Sequence, residues 1–543
     1  MQKPKILQGN YSSAFPYFQV TLPINTEHFI ADDDPVRLVD AFVEDMNLSA
    51  LYRTYDRVPK NTASPIQLLK VVLFAYMNGI RSCREIEQAC RKNIDYMFLL
   101  GDTPAPDHTT IARFISLHLS QCIKEIYTEQ IRDLYDLGEL SGTTVFIDGT
   151  KIEANANRYT FVWKKTVTKN MSRMMEKIPP FLEECEEMLG KKLLHSEEVT
   201  VHTLKRVLKE MEKIRQEEGI EFVQGIGRRK SPLQKATEQL EEYLRKLNEY
   251  SEKIRIMGTD RNSFSKTDPD ATFMRLKEDH MMNGQLKPAY NVQHAVDSEY
   301  IVWVQHSCQR SDALTLKPVL EEMQRYLPFK YLEIVADAGY ESEENYLYLE
   351  ENGQLAFIKP MNFEISKTKQ YQTDLSIKEN MRYDEDKDAY YCRREKELSV
   401  RHIRRYKSTS GHVLETTVYA CDECKGCPFK SKCIKGNNCK TPMSERNKVL
   451  YVAKTKERFR KECLKRITSD RGVQLRMNRS IQVEGSFAEI KENMDFRQFS
   501  YRGAQNVLTQ SILVAMSFNM NKLHRKIQGK RTGTHLFEAV KTA

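Results

Sequence analysis

The sequence predicts an α/β chain with a helical amino-terminal domain, and with the strands of its core separated by two insertions of different character. Three observations carry this expectation. Two apolar, β-branched runs each end in an aspartate with a glycine close behind, Thr143-Thr-Val-Phe-Ile-Asp148-Gly149 and Tyr331-Leu-Glu-Ile-Val-Ala-Asp337-Ala-Gly339, as strands do when they stop in a turn. Between them lies a charged stretch whose apolar residues recur at three and four. Beyond them a polar stretch gathers five cysteines between Cys421 and Cys439.

Residues 1–30 carry Tyr, Phe and Pro without a helical period and are expected to form an irregular arm. From there to residue 140 the pattern is helical. Asp34-Pro35 and Ser64-Pro65 each pair a capping side chain with proline at the first helical position. A third helix is expected over 83–100, and a fourth begins at Pro106-Asp107-His108-Thr109-Thr110-Ile-Ala-Arg113. Short helices joined by tight turns, the last starting with small polar residues and an arginine, fit a helix-turn-helix that sets His108, Thr109, Thr110 and Arg113 at a DNA groove; a plain helical bundle fits them too.

Residues 141–165 hold the first acidic strand and then Lys151, Arg158 and Trp163, where basic and aromatic residues interleave. Such a segment can hold a phosphate backbone and stack a base, and Trp163 can equally be ordinary core. Gly149 is expected to break the strand and leave Asp148 at a sheet edge. Residues 166–258 read as an antiparallel helical hairpin, with Leu204, Val207, Met211 and Ile214 facing Ala236, Leu240, Tyr243 and Leu247; a dimerisation element is the alternative. Strand signals resume over 259–360 with a hairpin about Asp297-Ser298, a helix near 312–326, the Asp337 strand and a last strand before Pro360. Residues 361–470 suggest short antiparallel strands around the cysteines. Residues 471–543 are helical, carry Glu484, and end in a basic tail, Lys522–Arg531, expected to be loose.

The chain has 543 residues, 84 Lys and Arg against 75 Asp and Glu, and a formal charge of +9; the excess is modest, so local basic stretches matter more than the total. The amino terminus lacks a secretory core, and the longest apolar run, Leu68–Met77, contains a lysine and is far short of the ~20 residues a membrane span needs. A soluble cytoplasmic protein without a membrane partner is expected. Seven of the twelve cysteines are scattered, which in a reducing compartment favours metal over disulfides. The C-x-x-C spacings among Cys421, Cys424, Cys427, Cys433 and Cys439 point to thiolate-bound Zn²⁺, four ligands sufficing, with an iron–sulfur cluster as the alternative.

Asp148 and Asp337 can meet if their strands are neighbours. Glu484, in Arg479-Ser-Ile-Gln-Val-Glu484-Gly-Ser-Phe-Ala-Glu-Ile-Lys491, is the candidate third acid. Three carboxylates with open coordination positions suit Mg²⁺, and two such ions roughly 3.5–4 Å apart would activate a water and stabilise the leaving oxygen of a phosphodiester.

On these residues the chain resembles the DDE transposases of bacterial insertion sequences, in the group with a Tyr-Arg-Glu-Lys signature about the Glu, and within it looks closest to the eleven-eighty-two insertion-sequence family. The resemblance covers nearly the whole chain and implies an RNase H-like mixed-sheet catalytic core split by the insertions, with Asp148, Asp337 and Glu484 holding Mg²⁺ or Mn²⁺. It also implies DNA as partner, both terminal inverted repeats and target, bound by a homo-oligomer at the nucleoid. Lys491, seven residues after Glu484, shares its helix face and can touch a phosphate. The signature expects Tyr and Arg where this chain has Met477 and Ser480; Arg479, a candidate DNA contact, is one position out of register, about 140° from Glu484 on a regular helix. A nuclease on the same core without strand transfer, and a transposon-derived DNA-binding protein without catalysis, are the rival readings.

Overall fold

The computed structural model describes residues 29–57, 62–193, 199–225, 227, 229–259, 261–276, 284–408, 410–436 and 441–538; most of the expected amino-terminal arm, and Cys439, lie outside them. The expected helix starts are present. Asp34 accepts the Val36 N–H at 2.8 Å to cap Pro35–Asp45, and Ser64 forms a reciprocal capping box with Gln67 at the head of Pro65–Met77. The single helix expected over 83–100 is two, Cys83–Lys92 and Ile94–Leu100. Asn93 is extended between them and caps the second by accepting the Asp95 N–H at 3.0 Å, a local bond that competes with helix continuation. His108–Arg113 runs on through a π turn, Phe114–Leu119, into Ser120–Asp136.

The strands are β1 (Thr144–Glu153), β2 (Phe161–Trp163), β3 (Ser263–Ser265), β4 (Thr272–Arg275), β5 (Leu286–Asp297), β6 (Tyr300–Ser307), β7 (Glu333–Ala336), β8 (Leu355–Ile358), β9 (Arg382–Asp384), β10 (Ala389–Tyr391), β11 (Glu397–Lys407), β12 (Val413–Ala420) and β13 (Val449–Val452). The central sheet is mixed: β4, β1 and β6 pair antiparallel with β5, while β1, β7 and β8 run parallel. Gly149 therefore does not break its strand, and Asp148 is not at a sheet edge. β1 continues to Glu153 because β5 pairs with it along that length, and it lies between β5 and β7.

One apolar cluster runs from Pro35–Asp45 through the sheet to the helix Ala504–Gln528, whose apolar run is buried nearly throughout. The insertion over 166–258 has a core of its own and, among the described residues, three helices where the hairpin expectation had two: Lys164–Leu189, Val201–Glu217 and Pro232–Met257. The unread helix contains Pro179 and Pro180, yet buries Met174, Ile178, Leu182 and Cys185 at spacings of four, four and three. The polar segment forms a second sheet in the order β13-β12-β11-β10-β9. The tail is not loose. The last helix reaches Gln528, and Lys526, fully buried, pairs with Glu139 at 2.7 Å. No helix among the described residues is long and apolar enough to cross a membrane.

Candidate active site

Parallel pairing of β1 with β7 ends at Ile147 opposite Ala336, so Asp148 and Asp337 are the next residues on two adjacent strands. The Asp337 carboxylate accepts the Gly339 N–H at 2.7 Å, and Asp148 accepts the Gly149 N–H at 2.8 Å. Glu484 arrives from the carboxyl-terminal helices. The helix Asp470–Arg479 passes into a π turn, Ser480–Glu484, that packs on β1 and β5.

This turn corrects the expected placement of Arg479. A π turn bonds residues five apart, so the extra residue between Arg479 and Glu484 is absorbed, and the two side chains meet while the Glu484 carboxylate stays exposed. The Arg479 guanidinium donates to Asp148 at 3.0 Å and lies 3.5 Å from a Glu484 oxygen. Ser480, in the position of the signature arginine, donates to Glu484 at 3.0 Å. Lys491 falls on a further π turn, Glu489–Asn493.

Across β1, Asp148 pairs with His294 and Gly149 with Gln293, and successive residues face opposite sides of the sheet. On the Asp148 side His294 is buried, stacks on Phe487 at 4.8 Å and leaves Nδ1 without a partner; burial lowers its pKa to about 3, so the ring is neutral. On the Gly149 side is a carboxylate that the sequence did not reveal. Asp312 Oδ1 accepts from Asn291 at 2.7 Å and from Gln293 at 3.2 Å. Gln293 in turn accepts the hydroxyl of fully buried Tyr340. A Cβ on Gly149 would lie 2.9 Å from Asp312, and one on Gly339 would lie 3.5 Å from its other oxygen. Asp312 thus lies close against both glycines that follow the acids. Burial, then the negative charges of Asp312, Asp148 and Asp337, hold the Tyr340 hydroxyl protonated. No sequence signal marks Asp312, Asn291 or Gln293 as a group, since only the pairing of β5 brings them together.

The other predicted positions are dispersed. His108 is tied to Glu87 by ring and backbone at 2.7 and 2.9 Å, Thr109 and Arg113 are exposed, and Thr110 donates its N–H to Asp107. Lys151 is half-buried on β1, and Arg158 pairs with Glu153 at 2.7 Å. Trp163 ends the short β2–β3 ribbon, against Phe161 and Phe273. Cys421, Cys424, Cys427 and Cys433 line one small cavity of the second sheet.

Among the described residues no group of three or more His, Cys, Asp or Glu side chains forms a ready-made metal cage as placed. The chemistry of the acidic site nonetheless fits a hard divalent ion, because its donors are carboxylate oxygens and one arginine already bridges two of them, as a cation must where acids gather.

Residues 24–117 match the family described as Transposase domain (DUF772), and residues 391–524 match the Transposase DDE domain, which spans Glu484. Comparison with curated proteins and with solved structures gives no match. With two transposase domains in one chain, and with two aspartates side by side where the parallel pairing of β1 and β7 stops, this chain belongs to the DDE transposases of bacterial insertion sequences.

Proposed function

We propose that this transposase cuts a DNA strand at each end of its element and joins the freed 3′-hydroxyl to target DNA, at a single site. The observation that carries the reading is the placement of Asp148 and Asp337 side by side on adjacent strands, just past the last pair of the parallel β1–β7 ladder, with Arg479 linking Asp148 to Glu484. Asp148, Asp337 and Glu484 would hold Mg²⁺ or Mn²⁺, which supplies Lewis-acid activation of the phosphodiester and its nucleophile. The chain's own residues do the rest. Arg479 orients two of the acids and offsets their mutual repulsion. Asp312, with Asn291 and Gln293, packs against Gly149 on β1 and against the Asp337 turn and so holds both acids in place. Lys491 meets a phosphate oxygen from the same helix as Glu484. His108, Thr109, Thr110 and Arg113 read the terminal inverted repeat, with Lys151, Arg158 and Trp163 on the DNA nearer the acids, and binding falls steeply with salt because phosphates are neutralised. The protein acts as a homo-oligomer on DNA at the nucleoid, and its place within the insertion-sequence transposases is the eleven-eighty-two family.

The test incubates full-length protein with labelled end DNA and a target plasmid in Mg²⁺ or Mn²⁺. Cleaved and joined products are expected, and Asp148→Asn, which removes one charge from the acid set, should lose both while still binding ends. Cleavage without joining would assign a nuclease, and binding with neither an inactive descendant. Wild-type cleavage by Asp148→Asn would overturn the site.

A further inference from the structure

Strand β11 is unpacked over most of its length. Its pairing with β10 covers only Glu397 and Leu398, and from Val400 to Lys407 it is bonded, among the described residues, to β12 alone. All eight residues of that run are exposed, so both faces of the strand are bare and its outer edge presents unpaired peptide groups. Charged side chains on an open edge keep strands from pairing there. That need does not account for Ile403 and Tyr406, apolar side chains left 57 % and 45 % exposed in the same run.

The run is also strongly basic, with Arg401, Arg404, Arg405 and Lys407. Arg405 pairs with Glu415 across the ribbon at 2.5 Å and Arg401 pairs with Asp422, while Arg404 and Lys407 meet no carboxylate among the described residues. Side chains alternate along a strand, so Ile403, Arg405 and Lys407 share one face and Arg404 and Tyr406 the other, where the guanidinium lies 5.7 Å from the ring centre. The ribbon ends near the acids. The Ser408 N–H closes it on the His412 carbonyl at 2.8 Å, and the Ser410 hydroxyl donates to Glu344 at the start of the helix Glu343–Glu351, the helix that follows the Asp337 turn. A cleft of about 560 Å³ is lined by Ser410, Glu344 and Ala313, the neighbour of Asp312.

We propose that the β11–β12 ribbon lies in a groove of the duplex held at the acids, with Arg404, Arg405 and Lys407 on phosphates of the two groove walls and Ile403 and Tyr406 toward sugars and base edges. The inference rests on the reading of the chain as a transposase acting on DNA, and adds to it a contact surface outside the amino-terminal helices and the acidic site. The major groove, about 12 Å wide, admits a two-stranded ribbon. Cations on both faces of one strand call for anions on both sides of it, which the walls of a groove supply and a flat protein surface does not. A second copy of the chain added to the open edge would bring its own cations against these. Exposed ion pairs hold weakly in water, so a phosphate can displace Glu415 from Arg405.

The test titrates full-length protein, without divalent ion so that no strand is cut, with duplex and with single-stranded DNA of the same end sequence over a range of salt. Arg404→Ala combined with Lys407→Ala removes two phosphate contacts. It should lower the salt slope for duplex by about two and weaken duplex binding about tenfold or more at physiological salt, with a smaller effect on the single strand, while Arg404→Lys keeps the wild-type slope. Should the double variant prove insoluble, wild-type protein decides the matter: irradiation of its complex with bromouracil-substituted duplex should crosslink residues 400–407, read by mass spectrometry. Wild-type slope and affinity in the double variant, equal losses on duplex and single strand, loss of self-association in place of DNA binding, or crosslinks confined to other residues would each overturn this proposal and leave the transposase reading standing. Wild-type protein that binds no duplex would overturn both.

Discussion

At the scale of single residues, the site rests on what surrounds Asp148-Gly149 on β1 and the Asp337-Ala-Gly339 turn. Gly149 is required by room. Its missing side chain would meet Gln293, Asp312 and Asn291, the last two at 2.9 and 3.1 Å. Gly149→Ala should cost about 1–3 kcal/mol as an overpacked position, read by chemical denaturation, and should reduce cleavage by displacing Asp148. Adding Gln293→Ala opens the space, so the double variant should be less destabilised than the sum of the singles; strict additivity would show that the clash is not the cause. Asp148 and Asp337 were legible because an apolar run, an acid and a glycine form a local pattern. Asp312, Asn291 and Gln293 were not, because each is an unremarked polar residue until β5 pairs with β1.

At the scale of elements, periodicity located the Glu484 helix but misplaced Arg479, since the 3.6-residue rule has no term for a π turn. The insertion's first helix escaped in a similar way, its apolar spacing obscured by Pro179 and Pro180. The π turn yields a sharp prediction. Deleting a residue from a regular helix rotates everything beyond it by about 100° and should ruin the packing of Val483, Ser486 and Ile490, which are buried. Deleting exposed Ile481 should instead convert Ser480–Glu484 to an ordinary α turn, keep both flanks in phase and set Arg479 four residues before Glu484. Its cost should be about 1 kcal/mol or less, as for ordinary substitutions, with cleavage retained. Deleting exposed Val473, within the regular helix Asp470–Arg479, should give insoluble or inactive protein. Equal damage from both deletions would mean that the turn is not a stored extra residue.

At the scale of the whole molecule, a buried ion pair ties the helix Ala504–Gln528 to the segment that follows the amino-terminal helices, beside the apolar core they share. Glu139, just beyond the amino-terminal helices, accepts from Lys526 at 2.7 Å, from the Tyr300 hydroxyl at 2.8 Å and from the Gly533 N–H at 2.8 Å, and the Lys526 ammonium lies 4.8 Å from the Tyr300 ring centre. Composition made the tail look loose because it is rich in Lys and Arg; only the fold supplies the carboxylate that draws Lys526 inside. Burial alone would raise the Glu139 pKa, but Lys526, Tyr300 and Gly533 outweigh it and hold the carboxyl below its ordinary value of 4.5. A depressed acid stabilises the fold fully above its unfolded pKa, and that contribution is lost as pH falls through the lower folded value. Acid should therefore loosen this junction below about pH 4.5. Glu139→Gln leaves an ammonium buried without a counter-charge and should cost about 3–5 kcal/mol at neutral pH. Glu139→Gln combined with Lys526→Met removes both charges and should recover most of that loss, since an apolar replacement of a buried pair is often neutral. Denaturation curves at pH 7 and pH 4 separate the outcomes. The wild type should lose stability between them by more than the double variant does, and an unchanged difference would mean that the pair does not contribute to this junction.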